Sequence, residues 1–311
     1  MNSDLSMSAE RRHAGFFRRG LAWFRALDIG LGGKHGVKLV LGGAIVLALV
    51  LGGVFAPQIA PVDPTEQSIK QKLAPPMSVA QDGQTRYLGT DFLGRDVLSR
   101  IVHGTRISLI IGVASVALSA IVGLILGAVA GFYGGLVDEA ISKVSEVFLA
   151  FPFLLLAIVI MAFLGPGLGN MIVALVLSRW VNFARIMRGE VMALKSRDYV
   201  TAARALGASD IYLLVRHILP HTLPILTVIA TFEVALVIIY ESSLSFLGLG
   251  LPPSIPTWGS MLADARTYMY SAPWNSIFPG LAIFITVLGI NLLGDGLRDK
   301  LDPRHRTSQS R

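Results

Sequence analysis

Charge disappears from this chain in long blocks. Leu39 to Val62 carries no Asp, Glu, Lys or Arg over 24 residues, Ile107 to Val137 none over 31, and Val147 to Ser178 none over 32. A helix of about 20 apolar residues crosses the hydrocarbon core of a bilayer. The third block is interrupted by Gly165-Pro166-Gly167, which reads as a tight outer turn between two helices. Two further apolar segments occupy residues 222–246 and 277–296. The pattern predicts an all-α integral membrane fold with six transmembrane helices, near 38–60, 106–131, 141–164, 168–188, 222–246 and 277–297.

Composition agrees. The chain has 311 residues, 53% hydrophobic and 15% charged, with a mean hydropathy of +0.63. A soluble globular chain carries about 25% charged residues. The absence of cysteine excludes a disulfide framework, thiolate zinc, iron–sulfur clusters and a Cys nucleophile. The net charge is +7 and the pI about 9.9. Nucleic-acid binders concentrate such charge on soluble modules. Here it lies between apolar runs, so it reads as membrane topology, and no nucleic-acid partner is expected.

With the N-terminus in the cytoplasm, the segments 1–38, 185–221 and 298–311, together with Lys143, hold 19 of the 27 Lys and Arg residues. That bias predicts both termini inside. No signal peptide is expected, because the first apolar run starts late, is long and lacks a small-residue cleavage pattern. The leader, 1–37, mixes aromatics and arginines from Phe16 to Arg25 and reads equally as an interfacial helix on membrane lipid or as a disordered arm. The transmembrane domain is placed at 38–305, followed by a cytoplasmic tail at 306–311. Its external segment is 61–104, where Leu88 to Gly104 is expected to form a short amphipathic helix feeding the second span. The other external loop, 247–276, contains Trp258 and Trp274.

No catalytic constellation is present. Gly30 to His35 is glycine-rich with a lysine but has the wrong spacing for a phosphate loop. His217 and His221 stand four apart, yet Pro220 lies between them, so a structural role is preferred to metal ligation. Five ionisable residues fall in spans: Glu146, Arg179, Glu233, Glu241 and Asp295. Such residues raise a functional question by default. Glu146, one turn from Lys143, and Asp295, one turn from Arg298, read as structural. Arg179 and Glu233 fall at mid-bilayer in antiparallel helices, where they either pair or line a polar path. Glu241 lies about 12 Å beyond Glu233 on a similar face. Gly123 and Gly127 form a small-xxx-small pair, read as close helix packing.

The most informative stretch runs from Asp198 to Pro220. Asp198 is placed to cap a short helix, Gly207 to end it, and a second helix to begin near Ser209 or Asp210. Two short helices with small residues make a docking element that can seat in a partner's groove. Thr201-Ala202-Ala203, Gly207 and Ile218-Leu219-Pro220 resemble the EAA loop of ABC-importer permeases. Thr201 occupies the usual glutamate position, and the family's isoleucine would fall at His217, one place before Ile218. Both departures resemble the peptide-permease branch. Leu88 to Asp96 is similar to that branch's external segment, Leu244 to Gly250 and Pro256 to Gly259 to its last external loop, and Asn291 to Asp299 with Asp302-Pro303-Arg304 to its C-terminal signature.

The resemblance covers about 38–305 and is to the C-type second permease subunit of dipeptide and oligopeptide importers. It implies a type I importer fold in a bacterial inner membrane. It also implies a second permease, ABC ATPase subunits that bind the ATP and Mg, and an extracytoplasmic substrate-binding protein. This chain itself is expected to hold no cofactor, metal or catalytic residue. By the resemblance, Asp198, Tyr199, Thr201, Ala202, Ala203, Gly207 and Ala208 would contact the ATPase, and Asp91, Arg95, Asp96 and Trp258 would face the binding protein. Arg179, Glu233 and Glu241 stay open between path and buried pair. Importers of nickel or glutathione belong to the same family. A self-sufficient secondary transporter would instead need coupling-ion sites and internal repeats; no repeat is seen, and no nucleophile–base or metal motif supports a membrane enzyme.

Overall fold

The computed structural model describes residues 34–80 and 83–301. The leader's aromatic–basic stretch, and the tail with Asp302, Pro303 and Arg304, lie outside the described residues. Helix α1 spans Lys34–Val54, followed by a short α2, Ala56–Ile59. A small antiparallel pair, β1 Ser78–Val79 and β2 Thr85–Arg86, sets Ser78 opposite Arg86. Then come α3 Val97–Tyr133, α4 Gly135–Leu149, α5 Phe153–Leu164, α6 Leu168–Lys195, α7 Asp198–Ala205 and α8 Asp210–Tyr212. A π turn, Leu213–Ile218, leads into α9, Leu219–Phe246, and the chain closes with α10 Trp258–Ala265 and α11 Trp274–Leu301.

Among the described residues, five helical stretches are long and apolar enough to cross a bilayer: Gly36–Val54, Val97–Tyr133, Leu168–Lys195, Asp210–Phe246 and Trp274–Leu301. The pair α4 and α5 makes a sixth span if taken together, and is bent by 88°. The straight third helix expected at 141–164 is therefore corrected. Pro152 has no N–H to give the helical ladder, and it disfavours a helical conformation at Phe151 before it. α5 restarts with Leu156 N–H donating to Pro152 O at 3.0 Å.

The helix expected over Leu88 to Gly104 is also corrected. Residues 88–96 are irregular, and α3 begins only at Val97, with Asp96 as its cap. The cap carboxylate accepts Ser99 N–H at 2.7 Å, satisfying a free donor of the first turn. At its other end α3 stops at Gly134 and Gly135, whose φ angles of +70° and +55° turn the chain directly into α4.

Helix packing follows the glycines. α3 makes its most extensive contact with α6, and α1 with α11. A Cβ added at Gly123 would lie 2.4 Å from Phe183 Cβ, and one at Gly127 2.3 Å from Ala184 O. Such approach is possible only without side chains, the usual way helices associate where water gives no hydrophobic drive. The core joining α3, α5, α6 and α9 contains Ile111, Met161, Met171, Leu175, Phe183, Val237 and Leu244. Val113, Ile125, Phe163 and Phe284 remain exposed on outward faces, as expected for helices that are apolar all round. Lys38 on α1 approaches Asp295 at 3.8 Å and Asp299 at 3.9 Å.

Candidate functional site

Residues 196–218 form a knuckle between α6 and α9. Asp198 is the first residue of α7, and the cap position belongs to Arg197, which offers no side-chain bond. This corrects the assignment of Asp198 as cap, although its charge still suits a helix N-terminus. Thr201 Oγ1 donates to Asp198 O at 2.9 Å. The end of α7 is a Schellman motif: Gly207 N–H donates to Arg204 O at 2.9 Å and Ala208 N–H to Ala203 O at 3.1 Å. It requires the left-handed conformation, and Gly207 has φ +86°. α8 then starts at Asp210, with Ser209 before it.

The knuckle is rooted on one side and bare on the other. Val200, Leu213 and Ile218 are buried against Phe132, Met187 and Val191, with Ala203 and Ala208 packed at the edge. The Arg204 guanidinium lies 5.5 Å from the Phe132 ring centre and 3.6 Å from Asp210. Lys195 Nζ donates to Phe132 O. Tyr199 is half out, its ring 5.9 Å from that of His221 and 6.5 Å from that of His217. Ala202 is exposed, and so are Leu206 (89%), Ile211 (71%) and Tyr212. These last three were missed in the sequence; the available signal was large apolar residues flanking a left-handed glycine outside the spans. Pro220, lacking an N–H, follows a widened turn in which Leu219 N–H reaches Leu214 O.

Of the three charges left open between path and buried pair, the structure joins two. Arg179 on α6 and Glu233 on α9 are both buried. Arg179 Nε donates to Glu233 Oε2 at 2.9 Å and its Nη2 to the same carboxylate. The guanidinium also lies over the rings of Phe153 and Tyr240, at 5.2 and 5.4 Å, where ring quadrupoles favour a cation. Glu241 stands apart. It is fully buried, accepting from Ser245 Oγ at 2.8 Å, with the hydroxyls of Ser108 and Ser242 at 3.4 Å. It thus ties α9 to α3 through hydroxyls.

The chain matches the family model described as "Binding-protein-dependent transport system inner membrane component" over residues 123–307, and the N-terminal transmembrane domain of oligopeptide transport permease C over 39–76. It is 47% identical to the di/tripeptide transport system permease protein DppC of Pseudomonas aeruginosa, over 81% of this chain and 83% of that one. It is 48% identical to the glutathione transport system permease protein GsiD of Pectobacterium atrosepticum, over 70% of this chain and 72% of that protein. Among solved structures, a chain of the MetNI methionine ABC transporter in inward-facing conformations aligns with a TM-score of 0.55 and 21% identity, over 65% of this chain and 97% of that one. The likeness supports the type I importer fold.

The chain belongs to the binding-protein-dependent inner-membrane permease family. It is a multi-pass membrane permease, an inner-membrane component of a binding-protein-dependent transport system.

The segment read as external in the sequence differs from expectation. Asp91, Arg95, Asp96 and Trp258 were expected to form an exposed docking surface, but all four side chains are buried. Asp91 Oδ1 accepts the N–H groups of Leu93 and Arg95 at 2.8 and 3.0 Å. Its Oδ2 accepts from Arg95 Nε at 2.7 Å and from Arg100 Nη1. Arg95 and Arg100 both reach Asp264, at 3.0 and 3.4 Å. Trp258 Nε1 donates to Ile101 O at 3.1 Å. Asp91 turns inward because the irregular backbone and the two arginines need a partner away from water. Arg100 and Asp264 escaped the sequence reading, since no local pattern links residues 164 positions apart.

This network makes a ranked prediction. Asp91→Asn keeps the shape but removes the carboxylate shared by two buried arginines, and will cost about 3 kcal/mol. Asp264→Asn will cost less, because the Asp264 side chain is 33% exposed. Thermal unfolding of the purified permease checks the order; equal shifts for the two variants would contradict it.

Proposed function

We propose that this permease is one of two membrane subunits of an ATP-driven importer of small peptides, and that the α7–Gly207–α8 knuckle is where a separate ABC ATPase subunit docks. The observation that carries the reading is the exposed apolar set Leu206, Ile211 and Tyr212 on a knuckle whose opposite face is packed on Phe132 and Met187. Such a patch suits a groove in a partner. ATP and Mg are bound by the ATPase pair. Closure of that pair moves the knuckle, and the Phe132 contacts pass the movement to α3 and α6. A second permease completes the path, and an extracytoplasmic binding protein delivers cargo to the outer side. The Lys and Arg distribution supports cytoplasmic termini. Peptide cargo is supported by the names of the relatives. Glutathione is the second reading, favoured by the GsiD relative.

Ala202→Arg tests the docking. Ala202 is exposed on α7, and arginine is a good helix former, so the permease will insert and fold normally. Overpacking at a seated contact costs about 1–3 kcal/mol, enough to lower ATPase co-purification and peptide uptake by about tenfold. Normal uptake would remove the knuckle from the mechanism.

A further inference from the structure

Residues 68–80 run antiparallel to 84–93 as an irregular ribbon. Ser68 N–H donates to Leu93 O at 3.1 Å, Leu73 N–H to Asp91 O at 3.0 Å, Thr90 N–H to Ala74 O at 3.0 Å and Ala80 N–H to Gln84 O at 2.8 Å. Its polarity is inverted. On the inner side Arg86, Thr90 and Asp91 are buried, while on the outer side Ile69 (78%), Met77, Val79 (72%) and Tyr87 are exposed. Register explains the sidedness. Val79 pairs with Thr85, and Ser78 with Arg86. Side chains alternate along a strand, so Val79 and Tyr87 share the face opposite to Ser78 and Arg86. Met77 N–H also donates to Arg86 O, at 2.9 Å, which sets two residues against one and makes a bulge. Met77 has φ +64°, a conformation such bulges usually give to glycine. For a bulky side chain that backbone is costly, and it clusters at binding and switch sites.

The ribbon stands clear of lipid. It joins α3 at Asp96, and the charge-free block of α3 begins only at Ile107. The helix between them is about 16 Å long, whereas the headgroup layer is about 5–8 Å thick on each side. An apolar face held in water at that height suits another protein. The leader and tail are read as cytoplasmic, so they lie across the bilayer from it. Met and Tyr are residue types enriched in protein interfaces. Among the described residues of the ribbon, the exposed charges, Lys70 and Lys72, are both basic. The face is therefore complemented by a water-soluble protein with an apolar patch bordered by Asp or Glu.

We propose that the outer face of this ribbon is where the extracytoplasmic binding protein rests on the permease, with acidic residues of that protein meeting Lys70 and Lys72. The inference rests on the importer reading above and gives that partner a surface other than the buried residues Asp91, Arg95, Asp96 and Trp258. The ribbon is also placed to pass docking inward. Asp96 caps α3, and Arg95 and Arg100 tie its base to Asp264 on α10.

The test uses the assembled transporter, with its ATPases and partner permease, in proteoliposomes. The readout is the concentration of alanyl-alanine-loaded binding protein that half-maximally stimulates ATP hydrolysis. Val79→Glu and Tyr87→Ser will each raise it about tenfold, as for loss of an interface anchor. Lys70→Glu combined with Lys72→Glu will also raise it about tenfold. Added salt will weaken the wild-type response and no longer weaken that of the double variant. Wild-type half-maximal concentrations in all these variants would overturn the docking face and leave the importer reading standing. Should Val79→Glu fail to fold, the two lysine substitutions on an exposed turn still decide the matter. No stimulation of the wild-type transporter by any loaded binding protein would overturn the importer reading, and the docking face with it. Loss of the co-purified second permease with an unchanged response would assign the face to that subunit, against the proposal. An effect present in liposomes and absent in detergent would assign it to lipid, also against it.

Discussion

Arg179→Met will destabilise the permease by about 3–5 kcal/mol, because it leaves Glu233 charged and buried without its cation. Glu233→Leu alone will cost about as much, for the converse reason. Together, Arg179→Met and Glu233→Leu will recover most of the loss, since replacing both ends of a buried pair by apolar groups is often near neutral. The bidentate geometry makes the expectation sharp: two guanidinium nitrogens meet one carboxylate, and both residues contribute to the contact between α6 and α9. The measurement is the fraction of monodisperse, folded permease and its unfolding temperature in detergent. A double variant as unstable as either single would show that the pair does more than satisfy itself, for instance by fixing Phe153 and Tyr240 around the cation.

Gly127→Leu carries the second large effect. Even a first side-chain carbon there would sit 2.3 Å from a backbone oxygen of α6 and 2.8 Å from Met187 Cβ. Backbone cannot swing aside as a flexible side chain can, so α3 and α6 must separate along the chain's most extensive helix contact. The cost will reach the upper part of the overpacking range, about 3 kcal/mol. Gly43→Leu is the control, because nothing lies within 4 Å of a Cβ at Gly43. It will change stability by less than about 0.5 kcal/mol. Equal effects from the two substitutions would mean that the α3–α6 contact is looser than the structure shows.

The spans were legible because lipid imposes a simple rule. A stretch that crosses must be apolar and long, and Leu39 to Val62 or Ile107 to Val137 can be little else. Close packing at Gly123 and Gly127 was legible for a related reason, since small residues four apart fall on one face. Gly207 was legible as a helix end because few other residues tolerate the conformation it adopts. Other features depended on tertiary context. The bend between α4 and α5 hinges on Pro152, which sits inside an otherwise continuous apolar run and looks like part of it. The burial of Asp91 and Arg95 depends on Asp264 and Arg100, and a run of charged residues in a segment read as external looks like a surface until its partner is placed. Arg179 and Glu233 were recognisable as candidates, but the choice between pairing and lining needed the relative rotation of α6 and α9. Glu146 was drawn to Lys143 by spacing alone, while Lys143 had an alternative at Glu139 with the same four-residue spacing.

The central claim is that the α7–Gly207–α8 knuckle seats in the ATPase and transmits its movement. The chain contains no cysteine, so single cysteines can be placed at Ala202 and Leu206 without background. Paired with cysteines in the groove of the ATPase, both positions will form disulfides in the assembled transporter, and the yield will change when ATP is added. A cysteine at Phe163, exposed on α5 well away from the knuckle, will form none. No crosslink from 202 or 206, in a complex that still hydrolyses ATP and imports peptide, would contradict the account.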